Sequence, residues 1–310
     1  MRFRRLAALA ASAVLCSTAP VRAGGIVERG LAAPSPALGH PIRYNLYRPA
    51  EAPPSGARWP VLYLLHGGGP GEADWLDAGR LAETMDGAIA AGKLPPTVVV
   101  MPYAGDSWYV DNHDRGGAGA MATALTRDLV DAVDAALPTA DCRQGRAVAG
   151  LSTGGYGALL FAFSRPRSYG AAISLSGSIA PPIAPHMTAR MRRAQRLYDG
   201  AFGTPFKPAR FNAWNLFLKA PRLGLGGAPK PAVYLDAGDR DPGGIVQGAT
   251  ELHLALLRRG VDSTLRIVGG RHEWALWRRE LAPALAWLGP RLDPTCGAPV
   301  AAAAKRTATK

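Results

Sequence analysis

Short apolar runs alternate with longer stretches of helical length between Trp59 and Arg271. The runs predict six strands, each closed by Gly, Asp, Ser or His: WPVLYLLHGGG, TVVVMPYAG, GRAVAGLS, YGAAISLSGS, PAVYLDAGDRD and STLRIVGGRH. Because polar residues rarely interrupt them, we expect strands buried on both faces, as in a mostly parallel sheet with helices on both faces. Ligand sites in such sheets lie beyond the carboxyl ends of the strands, so the closing residues are the candidates for chemistry.

The remaining segments predict how the chain is organised around this sheet. HPIRYNLYRPA predicts an edge strand. The segment of about 179–230 is rich in Pro, Arg and aromatic residues and is long for a simple connection, so we expect a cap over the sheet. We predict one domain over residues 24–292, followed by a frayed tail, 293–310.

The first 23 residues have the pattern of a secretory signal peptide. Three arginines precede an apolar stretch, Leu6 to Leu15, that is too short to span a bilayer, and Val21-Arg22-Ala23 offers a cleavage site. We therefore expect a secreted or periplasmic protein with no stable membrane anchor. Residues 1–23 carry four Arg and no acidic residue, so their removal lowers the formal charge from +13 to +9.

The mature chain remains basic, yet it contains no run of five or more Lys or Arg and no recognition motif. We therefore expect no nucleic-acid partner. The closest candidate is RMRRAQR, residues 190–196. Its pattern favours a solvated helix face over a binding patch.

Two cysteines, Cys142 and Cys296, remain after signal removal. An oxidising compartment allows one structural disulfide between them. Sequence does not show that their Cα atoms come within reach, so a disulfide and two free thiols are both open.

The stretch GLSTGGYGA, residues 150–158, matches the Gly-x-Ser-x-Gly pattern of a nucleophile elbow. Ser152 follows a predicted strand and precedes a predicted helix over Gly155 to Phe163, which is the context that an elbow requires. Gly150 and Gly154 remove Cβ clashes, so the turn can hold the hydroxyl above the sheet. We predict a nucleophile at Ser152; the alternative is a plain glycine-rich turn.

A nucleophilic serine also needs donors for the negative charge that develops on the carbonyl oxygen. His66-Gly67-Gly68-Gly69 ends an apolar strand and predicts one such donor, the backbone N–H of Gly68. The second is the backbone N–H of Thr153, directly after the serine.

An acid and a base must follow the serine in that order. His253 has helical spacing in TELHLALLRRG, whereas His272 closes a predicted strand, so we prefer His272 as the base. YLDAGDRD offers Asp236, Asp239 and Asp241. Asp236 falls inside the strand, and we prefer Asp241 over Asp239 beyond its end.

The motifs LLHGGGP, GLSTGGYGA, LDAGDRD and GGRHEWALW occur in this order. Over about residues 40–290 the chain resembles the putative esterase family of α/β-hydrolases, which includes feruloyl and acetyl-xylan esterases, S-formylglutathione hydrolases, enterochelin esterases and mycolyltransferases. The resemblance implies an α/β-hydrolase fold with Ser152 as nucleophile, Asp241 as acid, His272 as base, and the backbones of Gly68 and Thr153 as oxyanion donors. The chain departs from the family at two positions: Thr153 stands where Met is usual, and an extra residue, Arg271, precedes the base.

These residues predict a secreted serine carboxylic-ester hydrolase that works through an acyl-enzyme without metal or cofactor. We expect a small-molecule or polysaccharide-linked ester as substrate. Two alternatives stay open: an acyltransferase of the mycolyltransferase type that passes the acyl group to a sugar, and an inactive hydrolase fold that serves as a binding protein. Four aromatic residues are candidates for the substrate pocket, although core packing explains them equally well: Trp75, Trp108, Tyr109 and Trp214.

Overall fold

The computed structural model describes residues 24–53, 55–69, 71–184, 186–198 and 200–296. The predicted signal peptide and most of the predicted tail lie outside these residues. The strands, in chain order, are β1 (Ile26–Ala33), β2 (Ile42–Arg48), β3 (Val61–Leu65), β4 (Val98–Pro102), β5 (Asp111–Asn112), β6 (Gly119–Ala120), β7 (Arg146–Leu151), β8 (Ala171–Leu175), β9 (Ala232–Gly238) and β10 (Ser263–Val268).

Helices follow most of the strands. In chain order they are α1 (Asp74–Asp77), α2 (Leu81–Ala90), α3 (Met121–Thr123), α4 (Leu129–Ala136), α5 (Thr153–Ser164), α6 (Thr188–Leu197), α7 (Pro208–Ala213), α8 (Leu216–Lys219), α9 (Ile245–Arg258) and α10 (Trp274–Leu288). A π-helical turn, Ala124–Asp128, joins α3 to α4. Within the part of the chain described above, no helix is both long enough and apolar enough to cross a membrane.

Eight strands form one sheet in the order β1-β2-β4-β3-β7-β8-β9-β10, and β5 pairs with β6 in a separate hairpin. Six neighbouring strands of this sheet are mutually parallel, namely β4, β3, β7, β8, β9 and β10, whereas β1 and β2 run antiparallel to their neighbours. β3, β4, β7 and β8 are buried throughout, as their uninterrupted apolar runs predict. The predicted α/β fold class with a mostly parallel sheet is confirmed.

The prediction of an edge strand at β2 was wrong, because β1 covers that edge. β1 has the sequence IVERGLAA, and most of its side chains are at least partly exposed. A bulge between Glu28 and Leu31 shifts its register. A largely exposed strand with a bulge lacks the alternation by which a sequence identifies a strand.

Helices cover both faces of the sheet, each over its own apolar core. On one face α4, α5 and α9 pack over the sheet, and on the other face α2 and α10 do so. This arrangement leaves the carboxyl ends of the parallel strands uncovered by the main helices. The residues that close β7, β9 and β10 therefore meet at one edge.

Cys142 and Cys296 form a disulfide with a Cα–Cα distance of 5.9 Å. The bond joins the segment before β7 to the chain that follows α10, so it ties the end of the described domain to the central sheet.

The segment predicted to be a cap, residues 179–230 and called the cap below, carries α6, α7 and α8. Its aromatic side chains pack on one another and on Trp108, whose ring lies 4.5 Å from that of Tyr198. Phe202 and Phe211 continue the cluster with ring centroids 5.2 Å apart. Edge-to-face packing of this kind stabilises the cap beyond the burial of apolar area alone.

Candidate active site

Ser152 occupies the sharp turn between β7 and α5. Its backbone has φ 52° and ψ −116°, a conformation that costs a non-glycine residue about 1–3 kcal/mol. Two backbone hydrogen bonds hold the turn, since Ser152 N donates to Leu175 O at 2.9 Å and Ser178 N donates to Ser152 O at 3.0 Å. The turn lifts the serine side chain out of the buried strand and above the edge of the sheet.

The glycines on either side of the serine are required by close backbone approach. A Cβ atom on Gly150 would lie 2.3 Å from Gly154 O, and one on Gly154 would lie 2.3 Å from His66 O. No side chain fits at these distances. The Gly-x-Ser-x-Gly pattern therefore lets the start of α5 pack directly against the end of β3.

A continuous hydrogen-bonded chain joins Ser152, His272 and Asp241. His272 Nε2 lies 2.9 Å from Ser152 Oγ, and His272 Nδ1 lies 2.9 Å from Asp241 Oδ1. The ring of Trp277 packs edge-on against the imidazole with centroids 4.9 Å apart, which restricts its rotation. The extra Arg271 is exposed and leaves the imidazole within reach of the serine.

The Asp241 carboxylate is fully buried. Burial by itself raises its pKa, but contacts with His272, the Ser176 hydroxyl and the Gly238 N–H hold the pKa of this carboxyl below its ordinary value. The Gly238 N–H donates to Asp241 Oδ2 at 2.8 Å. Asp241 is therefore ionised when His272 donates its Nδ1 proton. The motifs gave no indication of Ser176, which has a positive φ of 47° and follows β8.

The other two aspartates have different environments. The Asp239 side chain is 53% exposed, and its Oδ1 accepts a hydrogen bond from Gly270 N at 2.9 Å, so it anchors the loop that carries His272. Asp236 is buried within β9, and neither of its carboxyl oxygens has a partner among the described residues. His253 lies on α9, as its spacing predicts, with Nδ1 at 2.9 Å from Ser263 Oγ.

His66 braces the glycine-rich loop instead of acting as a base. It is buried, and its Nε2 accepts the N–H of Ala104 at 3.0 Å, so its Nδ1 carries the proton that reaches Gly67 O at 2.6 Å. Burial lowers the pKa of His66, which keeps the ring neutral. Tyr109 adds a second brace by donating its hydroxyl to His66 O at 2.7 Å.

The braced loop lies against the elbow. A Cβ atom built on Gly67 would lie only 3.7 Å from Ser152 Cβ. Within the described part of the chain, the backbone N–H groups of Gly68 and Thr153 donate to no protein acceptor. Thr153 is the first residue of α5, where a backbone N–H has no partner within the helix. Both groups are therefore available to an oxygen beside Ser152.

A cavity of about 620 Å³ opens above Ser152 and His272, between the cap and α9. One part of its wall is apolar and includes Ile179, Ile183, Leu197 and Ile245. The polar part of its wall includes Arg193, Gln247 and Glu251. The sequence motifs indicated none of these lining residues, which belong to the segment between β8 and α6, to α6 itself and to α9.

None of the four aromatic candidates is among the residues that line this cavity, so their contact with substrate stays a prediction. Trp75 is fully buried and donates its Nε1–H to Leu65 O at 2.9 Å, while Tyr109 braces His66. Trp108 belongs to the aromatic cluster under the cap. Trp214 is half-buried, and its backbone oxygen accepts the hydroxyl of Tyr156. Large buried aromatic side chains stabilise a protein core. Here Trp75 and Tyr109 hold the end of β3 and the loop that follows it.

Comparison with known proteins identifies a family and several relatives. The family model described as putative esterase matches residues 35–288. An acetyl esterase of Caldicellulosiruptor saccharolyticus is 25% identical over 241 residues, which cover 75% of this chain and 84% of that protein. An endo-1,4-beta-xylanase/feruloyl esterase of Xylanibacter ruminicola is 36% identical over 131 residues, which cover 40% of this chain but only 17% of that much longer protein.

Solved structures show the same fold at lower identity. A ferulic acid esterase aligns with a TM-score of 0.67 and 21% identity, over 88% of this chain and all of that one. An S-formylglutathione hydrolase from Agrobacterium tumefaciens aligns with a TM-score of 0.65 and 18% identity, over 87% of this chain and 96% of that one.

Proposed function

The chain belongs to the putative esterase family, and from this premise we propose that Ser152, His272 and Asp241 form the catalytic triad of a secreted carboxylic-ester hydrolase. Family membership makes the protein a carboxylesterase-type hydrolase. The triad, the acyl-enzyme and secretion are the parts that we propose. The main support for the triad is the pair of 2.9 Å hydrogen bonds that links the three side chains.

The reaction begins when His272 Nε2 removes the Ser152 hydroxyl proton and Oγ attacks the ester carbonyl carbon. The carbonyl π bond opens, and the resulting oxyanion accepts hydrogen bonds from the N–H groups of Gly68 and Thr153. His272 then gives its proton to the departing alcohol oxygen as the C–O bond breaks. Asp241 holds the imidazole in the required tautomer and stabilises its positive charge.

The acyl group now bonded to Ser152 is released by water. His272 removes a proton from the water as it attacks, and a second tetrahedral intermediate collapses to free acid and the restored serine. The His272 side chain is 24% exposed, so solvent reaches the base. Water can therefore act as the acyl acceptor, and the same access admits a sugar hydroxyl, so the assay below distinguishes hydrolysis from transfer.

Turnover of p-nitrophenyl acetate tests the proposal, with Ser152→Ala compared with Ser164→Ala. Ser164 ends the same helix on the exposed surface and provides a matched control. We expect Ser152→Ala to lose at least about a thousandfold in kcat and the control to keep wild-type activity. A sugar acceptor added to the assay reports the transferase alternative, which would yield acylated sugar in place of free acid. Equal activity of Ser152→Ala and wild type would refute the triad.

We also propose which esters the enzyme hydrolyses and where the protein is located. The names of the relatives specify acetyl and feruloyl esters, and these are the acyl groups to test first, both free and linked to a polysaccharide. The signal-like residues 1–23 and the disulfide between Cys142 and Cys296 support export to an oxidising compartment. Export predicts that the mature protein isolated from its native host begins at Gly24, as N-terminal sequencing would report.

A further inference from the structure

Arg193 is a charged side chain on the wall of the catalytic cavity. It lies on α6 of the cap and lines the same cavity as Ser152 and His272. The sequence favoured a solvated face for this helix, and Arg192, Arg193 and Arg196 are all exposed. Of these three, only Arg193 lines the cavity. Arg193 differs from the other two in facing the space that a substrate of Ser152 would fill.

The guanidinium of Arg193 has no acidic partner among the residues that the structure describes. Two other cations of the cap share one acidic partner, since Asp114 pairs with Lys207 at 2.7 Å and with Arg210 at 2.8 Å. The sequence of α6 itself, TARMRRAQRL, contains no acidic residue. Arg193 therefore presents an uncompensated charge to the cavity.

The facing wall of the cavity has the opposite character. Glu251 lies on α9, where its Oε1 accepts a hydrogen bond from Gln247 Nε2 at 2.7 Å, and it forms no ion pair with Arg193. Apolar side chains such as Ile179 and Leu197 line the same cavity. A negatively charged ligand group is attracted to the cap wall and repelled from the α9 wall.

We propose that Arg193 binds a carboxylate carried by the ester substrate and so makes the enzyme selective for anionic esters. A planar guanidinium matches a carboxylate with two parallel N–H···O hydrogen bonds. The apolar wall holds the uncharged part of the substrate while Ser152 attacks the ester carbonyl. This inference rests on the proposed function, and it further specifies that the ester substrate is negatively charged.

Two matched pairs of substrates test whether the carboxylate lies on the acyl side or on the alcohol side. The acyl pair is p-nitrophenyl hydrogen adipate and p-nitrophenyl heptanoate, which are similar in length and differ in charge. The alcohol pair is 4-acetoxybenzoate and its methyl ester. The readout is the ratio of kcat/KM for the charged ester to that for the neutral ester of each pair.

The variants are Arg193→Gln, Arg193→Lys and Arg192→Gln, the last of which removes the same charge from the same helix outside the cavity lining. We expect Arg193→Gln to lower the ratio about tenfold for one pair, Arg193→Lys to retain part of it, and Arg192→Gln to leave both ratios at the wild-type value. Ratios that are the same in Arg193→Gln and in wild type would overturn this inference alone, because the enzyme would remain an active esterase. Inactivity of wild type on every ester would overturn the proposed function, and this inference with it.

Discussion

The imidazole of His272 and the carboxylate of Asp241 lie 2.9 Å apart, although 31 residues separate them in the chain. Asp241 follows β9 and His272 follows β10, two adjacent parallel strands. Parallel strands end at the same edge of a sheet, so short loops suffice to bring the two side chains together. Asp239 ties these loops to each other through its hydrogen bond to Gly270 N.

The first prediction separates the two aspartates of this loop. Asp241→Asn keeps the shape of the side chain but removes the charge that stabilises protonated His272, so we expect kcat to fall about 10³–10⁴-fold. Asp239→Asn weakens only an exposed anchor and should cost less than about tenfold. Steady-state kinetics on p-nitrophenyl acetate measure both. A larger loss of kcat in Asp239→Asn than in Asp241→Asn would show that Asp241 is not the catalytic acid.

The second prediction concerns the close approach at Gly154. A Cβ atom at this position would lie 2.3 Å from His66 O, so Gly154→Ala forces α5 away from β3 and displaces the elbow. We expect activity to fall at least about a hundredfold, because small displacements of catalytic groups are costly. Gly87→Ala is the matched control, since Gly87 is exposed on α2 and an added Cβ meets no atom within 4 Å. The control should keep full activity and gain about 0.5–1 kcal/mol of stability, as denaturant unfolding would report.

The third prediction follows from the buried acid Asp236. Burial and the nearby Glu280 raise the pKa of Asp236 from 3.8 to about 7, so the folded protein keeps a proton that the unfolded chain loses. The free energy of unfolding therefore falls as pH rises from about 4 to about 7, by up to about 1.4 kcal/mol per pH unit, and the effect levels off above that window. Asp236→Asn mimics the neutral acid and lacks this dependence.

Urea unfolding at several pH values compares this variant with wild type. The advantage of Asp236→Asn in unfolding free energy should grow between about pH 4 and pH 7. A difference that stays constant with pH would show that Asp236 is ionised throughout.

The fourth prediction concerns the disulfide between Cys142 and Cys296, which are 154 residues apart in the chain. Replacing both cysteines with serine should lower the stability by about 2–5 kcal/mol, because the bond restricts the unfolded chain. Neither cysteine lines the catalytic cavity, so kcat/KM at 25 °C should stay at the wild-type value. Thermal unfolding and ester turnover of the double variant measure the two effects. An unchanged melting temperature would contradict the first expectation.

The sequence was most informative where local backbone constraints and strand order combine. Gly150, Ser152 and Gly154 form a recognisable pattern because no other residue fits at the two close approaches. The order of the serine, Asp241 and His272 predicts a shared location, because each follows a strand of one parallel sheet. The fold class followed from the same buried runs.

The rest of the site depends on tertiary packing that leaves no local pattern. Arg193 reaches the cavity only because the aromatic cluster holds the cap over the sheet, and its helix has the composition of an ordinary solvated surface. Ser176 belongs to the site because β8, which it follows, lies between β7 and β9. Trp75 and Tyr109 were candidates for substrate contact because aromatic residues suit both cores and pockets, and only the packing shows that they support the loop at His66.

Mass spectrometry of the acyl-enzyme tests the central claim most directly. The protein is mixed with p-nitrophenyl acetate, quenched in acid within the first turnovers, digested and sequenced, with Ser152→Ala treated in parallel. The proposed mechanism predicts one acetyl group on the peptide that contains Ser152 and none in the variant. Acetylation of another residue that persists in Ser152→Ala together with turnover would contradict the mechanism.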